Sequence, residues 1–83
     1  MDFIKIDGAF IRNIAEDSFD FALVKSITEM GHFLGKKIIA EYVSSGEILE
    51  IVSQLGVDYA QGFHVGKPML LEQLLTSDIA LEI

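Results

Sequence analysis

Apolar residues along the chain alternate between two periods. Phe3-Ile4-Lys5-Ile6 is a short, nearly continuous apolar run, and Lys37-Ile38-Ile39-Ala40 is a second. Val57-Asp58-Tyr59-Ala60-Gln61-Gly62 is a third and ends on a glycine. Short runs rich in β-branched and aromatic residues read as strands, here over about residues 3–7, 37–42 and 57–61. The stretches between them have a helical period. Leu23, Ile27, Met30 and Leu34 fall at i, i+4, i+7 and i+11, so a helix is predicted over about 18–34 with Met30 and Phe33 packed in the core. Asp17 and Ser18 are good N-caps for it, and Gly35 is placed to end it in a left-handed conformation. A second helix is predicted over about 45–55, on Ile48, Ile51, Val52 and Leu55. Ser44 with Glu47 three residues later fits a capping box, and Gly56 is its stop. Phe63 to Pro68 reads as an irregular loop. A third helix is predicted over about 69–76, with Leu70, Leu71, Leu74 and Leu75 on one side. Thr76-Ser77-Asp78 breaks it, leaving Ile79 to Ile83 as a short apolar tail.

The pattern is strand, loop, helix and glycine stop, then the same again. This is an α/β layout of three consecutive β/α units, (βα)₃. Right-handed crossovers make such strands parallel and bring their carboxyl ends to one edge of the sheet. Three parallel strands leave two apolar edges open. The chain is therefore expected to be part of something larger or to associate, as a homo-oligomer or with the remainder of a sheet.

Composition narrows the class. The chain has 83 residues, enough for one small domain with a marginal core. Half of it is hydrophobic and it holds one proline, which argues against disorder. There is no cysteine, so neither a disulfide nor a thiolate metal site supports the fold. The net charge of −7 disfavours binding to DNA, RNA or anionic membranes through the backbone charge. No apolar run reaches the length of a membrane span, and the first residues lack a signal-peptide pattern. A cytoplasmic location is the default expectation.

Each strand carries polar groups near its carboxyl end: Lys5 and Asp7, then Glu41, then Gln61. The carboxyl edge of a parallel sheet is where α/β folds place their chemistry. Glu41 reads either as a functional carboxylate or as a charged residue at an exposed junction. Lys5 is either an edge-strand lysine that blocks pairing or a cation aimed into a site. Gln61 could satisfy backbone groups or orient a ligand or a water. Together, a lysine, a carboxylate and an amide on one rim can position or activate a water. His32 has no second histidine three or four residues away and reads as a surface helix residue.

These residues also carry a resemblance. Asp2-Phe3-Ile4-Lys5-Ile6-Asp7 with Phe10 resembles the D-x-x-K-I-D strand and following F of EAL domains, bacterial phosphodiesterases that cleave cyclic di-GMP. Ile39-Ala40-Glu41-Tyr42-Val43 is similar to that family's I-A-E-G-V-E segment. Leu55-Gly56-Val57-Asp58-Tyr59-Ala60-Gln61-Gly62-Phe63 is similar to L-G-x-D-x-x-Q-G-[YF], and Gly66-Lys67-Pro68 to the small-basic-Pro sequence after it. The resemblance covers residues 2 to about 75. It implies that the chain, 1–83, is a partial EAL domain equivalent to the last three β/α units of a TIM-like barrel. It implies hydrolysis of cyclic di-GMP to linear pGpG with two Mg²⁺ or Mn²⁺ ions, which stabilise the attacking and leaving oxygens. Carried over, Lys5 contacts the attacking water, Glu41 is metal ligand or general base, and Gln61 positions the water or the substrate. Asp7 lies next to the metals, and Gly62 and Pro68 fall on the substrate side. Two residues depart from the pattern: the glycine after the glutamate is Tyr42, and the second glutamate is Ser44. The E-x-L signature, the asparagine, the following glutamate and the D-D-F-G segment, which supply most metal ligands, are absent from this sequence. The resemblance therefore implies a chain that is inactive by itself and binds no metal tightly. An alternative is a non-catalytic module that assembles through its open sheet edges or binds cyclic di-GMP without cutting it.

Overall fold

The computed structural model describes residues 2–62 and 65–71, with side chains described for 2–62 and 69–71. Strand β1 (Phe3–Ile6) leads into a single helical turn, α1 (Gly8–Ile11), and then into the long helix α2 (Ser18–Phe33). Strand β2 (Lys37–Ala40), helix α3 (Gly46–Gln54) and strands β3 (Tyr59–Gly62) and β4 (Val65–Leu70) follow. The four strands form one sheet in chain order. β1 pairs parallel with β2, with Lys5 opposite Ile39, and β2 pairs parallel with β3, with Ile39 opposite Tyr59. The three parallel strands are those the sequence predicts.

The end of the chain corrects the expectation. Val65–Leu70 is a strand antiparallel to β3, with Ala60 opposite Met69, so the sheet is mixed. Residues 65–68 of the expected loop and 69–70 of the expected helix over 69–76 fall on this strand, and residues 63–64, 72–76 and the apolar tail lie outside the described residues. Gly66 and Pro68 read as turn formers, but β4 has no second neighbour in the described sheet. A strand with one free side tolerates a proline, which removes a donor that a central strand would need.

Local rules explain the helix ends. The Asp17 side chain accepts hydrogen bonds from the backbone N–H groups of Phe19 and Asp20, so Asp17 is the N-cap of α2. Ser45 caps α3, its Oγ accepting from the N–H of Ile48 at 3.2 Å; the cap expected at Ser44 is displaced by one residue. Gly35 and Gly56 follow the two helices at φ of +78° and +91°, the left-handed stops that only glycine adopts freely.

Both helices pack on one face of the sheet. The core joins Ile6, Ile11, Ile14, Val24, Ile38, Ala40, Ile48, Leu49, Val52 and Ala60, with Leu71 beside them. On α3 the buried residues are Ile48, Leu49 and Val52, with Ile51 and Leu55 partly buried against them. On α2 the buried face is Asp20, Val24, Thr28 and Gly31, not the expected stripe. Ile27 is partly buried, but Met30 and Leu34 are about 60% exposed and Phe33 is 88% exposed. Gly31 explains the choice of face. A methyl group there would lie 2.5 Å from Ile38 Cδ1 and 3.0 Å from Ile4 Cδ1, so the helix axis comes close to the sheet at this glycine. The Met30 and Leu34 end of the more apolar stripe is left facing away from the core.

The base of the sheet is fastened by Asp58. Its Oδ2 accepts the backbone N–H of Ile38 at 2.9 Å and lies 2.7 Å from His32 Nε2. One carboxylate thus joins the end of α2, the start of β2 and the approach to β3. His32 is an exposed helix residue, as the sequence predicts, with a partner that the sequence does not reveal.

Thr28 is 1% exposed, and its hydroxyl has no hydrogen-bond partner among the described residues. A buried hydroxyl without a partner pays its desolvation in full. Thr28→Val keeps the shape and removes that penalty. The expected result is a gain of about 1 kcal/mol in unfolding free energy by urea denaturation; a loss of stability would show that the hydroxyl is satisfied in solution.

Candidate functional site

Lys5, Glu41 and Gln61 stand on one face of the sheet because of its register. Lys5 lies opposite Ile39, and Glu41 is two residues further along, hence on the same side. Ile39 lies opposite Tyr59, and Gln61 is again two residues on. This is the face turned away from the helices, and Phe3 and Tyr59 meet on it edge to face at 5.6 Å. Lys5 Nζ lies 3.8 Å from Glu41 Oε2. Both side chains are substantially exposed, so this pair adds little to stability. Its significance is one of placement: a cation and a carboxylate from neighbouring strands meet where the parallel strands end.

Beyond β2 the chain stays tied to its neighbours. The N–H of Glu41 donates to the carbonyl of Ile6, and the N–H of Val43 donates to the carbonyl of Gln61 at 2.8 Å. The second bond draws the Val43 backbone over Gly62, close enough that a methyl group on Gly62 would overlap the Val43 carbonyl. Gly62 is therefore the residue that lets the loop after β2 lie across the end of β3. Sequence reasoning placed Gly62 on the substrate side; the close approach gives it a structural role as well.

An open pocket of about 590 Å³ lies at these strand ends, lined by Asp7, Gly8, Ala9, Arg12, Glu41, Tyr42, Gln61 and Gly62. Of the residues singled out from the sequence, it gathers Asp7, Glu41, Gln61 and Gly62. Lys5 reaches the site through Glu41 and is not part of this lining. The side chain of Pro68 lies outside the described residues. Asp7 turns out to be the N-cap of α1, its Oδ1 accepting the Ala9 N–H at 2.9 Å.

Two lining residues were not read as partners in the sequence. Tyr42 has φ of +64°, a left-handed conformation that is unusual for a bulky residue. Its Cβ faces Gly8, where an added methyl would lie 2.7 Å away. The guanidinium of Arg12 sits over the Tyr42 ring, 4.9 Å from its centroid. The signal for Tyr42 lay in its departure from a family glycine; Arg12, four residues past Gly8 on a short helical turn, gave none.

Metal binding needs more than the described residues supply. The pocket offers two carboxylates, Asp7 and Glu41, and each has another partner. Among the described residues no group of three or more His, Cys, Asp or Glu side chains is clustered to hold an ion. A divalent cation with six or more oxygen ligands is not held by such a set. No helix among the described residues is long and apolar enough to cross a membrane.

The rim thus lies at the carboxyl ends of three parallel α/β strands, and comparisons with known proteins identify the family. The family model for the EAL domain matches residues 1–68, and the chain belongs to the EAL domain family. It is 47% identical over 70 residues to the cyclic di-GMP phosphodiesterase PdeF of Escherichia coli, covering 84% of this chain and 9% of that protein. It is 45% identical over 74 residues to the bifunctional diguanylate cyclase/cyclic di-GMP phosphodiesterase MucR of Pseudomonas aeruginosa, covering 89% of this chain and 11% of that one. Among solved structures, the PaMucR phosphodiesterase in complex with c-di-GMP superposes with a TM-score of 0.73 at 42% identity. That match covers 88% of this chain and 30% of the other. The EAL enzyme Bd1971 bound to cAMP and cyclic-di-GMP gives a TM-score of 0.75 at 32% identity, over 90% of this chain and 20% of that one. The chain thus spans about a tenth of the length of the relatives it matches. Its open mixed sheet corresponds to part of the EAL barrel structures.

The overlap at Gly62 gives a test of the site's construction. Gly62→Ala forces the Val43 carbonyl to move and weakens the bond from the Val43 N–H to Gln61. The expected loss is on the order of 2 kcal/mol in unfolding free energy, with the amide resonances of residues 41–43 shifted most. An unchanged melting curve would show that the loop does not lie over β3.

Proposed function

We propose that this chain is the sector of an EAL-domain phosphodiesterase that supplies Lys5, Glu41 and Gln61 to a cyclic di-GMP-hydrolysing site. The observation that carries the reading is the placement of Lys5 and Glu41, 3.8 Å apart on adjacent parallel strands, with Gln61 on the same face of the third. In this reading the sheet is equivalent to the last β/α units of the barrel. Lys5 orients the attacking water and stabilises the charge that develops on it. Glu41 accepts the water's proton or faces a metal that other parts of the domain complete, and Gln61 donates or accepts a hydrogen bond that fixes the water or the substrate. Asp7 and Gly62 line the same pocket, and Pro68 is assigned to the substrate side by the family resemblance. The product is linear pGpG. Mg²⁺ or Mn²⁺ belongs to the complete domain, because the carboxylates described here do not form a metal site. The active unit is soluble and cytoplasmic in this reading.

The chain alone is accordingly inactive. Purified and incubated with cyclic di-GMP and Mg²⁺, it is expected to release no pGpG, as read by chromatography. Replacing the equivalent segment of the Escherichia coli relative PdeF with residues 2–71 is expected to give a chimera that hydrolyses cyclic di-GMP. Glu41→Gln in that chimera is expected to lower kcat at least a hundredfold. Metal-dependent turnover by the isolated chain, or a folded chimera indifferent to Glu41, would overturn the reading.

A second reading has its own observation. Phe3 lies on the outer strand of the described sheet, and Met30, Phe33 and Leu34 are exposed on α2. A module that closes these surfaces by self-association would use them as its interface. Light scattering on a size-exclusion column separates the cases: a stable dimer or larger species supports the assembly module, and a mass near the 9.2 kDa of one chain removes it.

A further inference from the structure

Arg12 is the basic side chain in the described lining of the pocket, and it has no carboxylate partner among the described residues. The chain has 13 acidic and 6 basic residues, so acids outnumber cations. Two carboxylates share the same lining, but both are otherwise engaged. Asp7 caps the helical turn through the Ala9 N–H, and Glu41 faces Lys5. Arg12 rests instead on the ring of Tyr42. An aromatic ring attracts a guanidinium through its face without neutralising the charge. The N–H donors of a guanidinium lie in its plane, and such a group suits a planar, bidentate oxyanion. A restrained guanidinium also loses less freedom when it binds than a mobile one.

Tyr42 supplies the second observation. Its left-handed backbone is costly for a bulky side chain, and glycine would occupy the position without strain. Strain that a structure retains beside a pocket points to a use for the strained residue. One feature that glycine could not provide is the ring under Arg12.

We infer that Arg12 is an anion-binding residue of this pocket, positioned by the Tyr42 ring, and that it takes a phosphate group of a nucleotide ligand. This rests on the reading of the pocket as part of a cyclic dinucleotide site. Arg12 contributes positive charge to a lining whose acids, Asp7 and Glu41, would otherwise repel a phosphodiester. Tyr42 does not touch the phosphate; it holds the group that does.

The test uses the whole 83-residue chain, labelled for side-chain arginine NMR, titrated without metal. The probes are guanosine 5′-monophosphate, cyclic di-GMP and, as a phosphate-free control, guanosine. Both nucleotides are expected to shift the Arg12 Nε–Hε resonance saturably, and guanosine is expected to leave it in place. Arg12→Gln is expected to weaken nucleotide affinity about tenfold, the loss of one charge-assisted contact. Tyr42→Gly is expected to weaken it about threefold, as loss of an exposed cation–π contact does. Tyr42→Phe is expected to keep the parent affinity, because the ring and not the hydroxyl orients Arg12. The inference is overturned if neither nucleotide gives a saturable shift, if guanosine shifts Arg12 as the nucleotides do, or if Arg12→Gln binds like the parent. Engagement of the monophosphate but not of cyclic di-GMP would uphold the phosphate contact and sink the dinucleotide reading. Cyclic di-GMP held equally with and without Arg12 would do the reverse.

Discussion

The parallel register between β1 and β2 is the constraint on which the rest depends. With Lys5 opposite Ile39, Ile4 and Ile6 face the helices while Phe3 and Lys5 face the other way. The same alternation carries Ile38 and Ala40 into the core and places Glu41 on the side of Lys5. A one-residue slip would reverse every one of these assignments. Core burial therefore fixes the site: isoleucines that must be covered by α2 decide which way the lysine and the glutamate point. Asp58 and Gly31 reinforce the register, the first by holding the Ile38 N–H, the second by letting α2 settle on Ile4 and Ile38.

The two faces of the sheet have different fates. One is closed by α2 and α3 over a continuous core. The other carries Phe3, Lys5, Glu41 and Tyr59 and has no layer over it among the described residues, although Ile39 upon it is 5% exposed. Met30, Phe33 and Leu34 extend this unfinished character to α2. A parallel sheet is ordinarily covered on both faces. The chain reads as one arc of a larger closed sheet, in keeping with its match to 20–30% of solved EAL structures. The arc brings a lysine, a carboxylate and an amide to a rim, and a ring-seated arginine beside them.

Much of this was legible because local rules and global packing agree. The glycine stops at Gly35 and Gly56, the Asp17 cap and the three parallel strands follow from residue type and spacing. The buried face of α2 was not legible. Asp20, Val24, Thr28 and Gly31 have the same helical period as Leu23, Ile27, Met30 and Leu34, and hydrophobicity favours the second set. The choice is made by close approach at Gly31, which periodicity does not register. Strand β4 was hidden by Gly66 and Pro68, whose turn signal a free strand edge overrides. The Lys5–Glu41 meeting could be anticipated from parity along two strands, whereas Arg12 over Tyr42 depends on a positive φ that no spacing reveals.

The register itself is the quantity to measure. Nuclear Overhauser contacts between backbone protons in a uniformly labelled sample report it without any substitution. The account predicts cross-strand contacts that pair Lys5 with Ile39 and Ile39 with Tyr59. Contacts pairing Lys5 with Ile38 or Ala40 would put Lys5 and Glu41 on opposite faces, and the site described here would not exist.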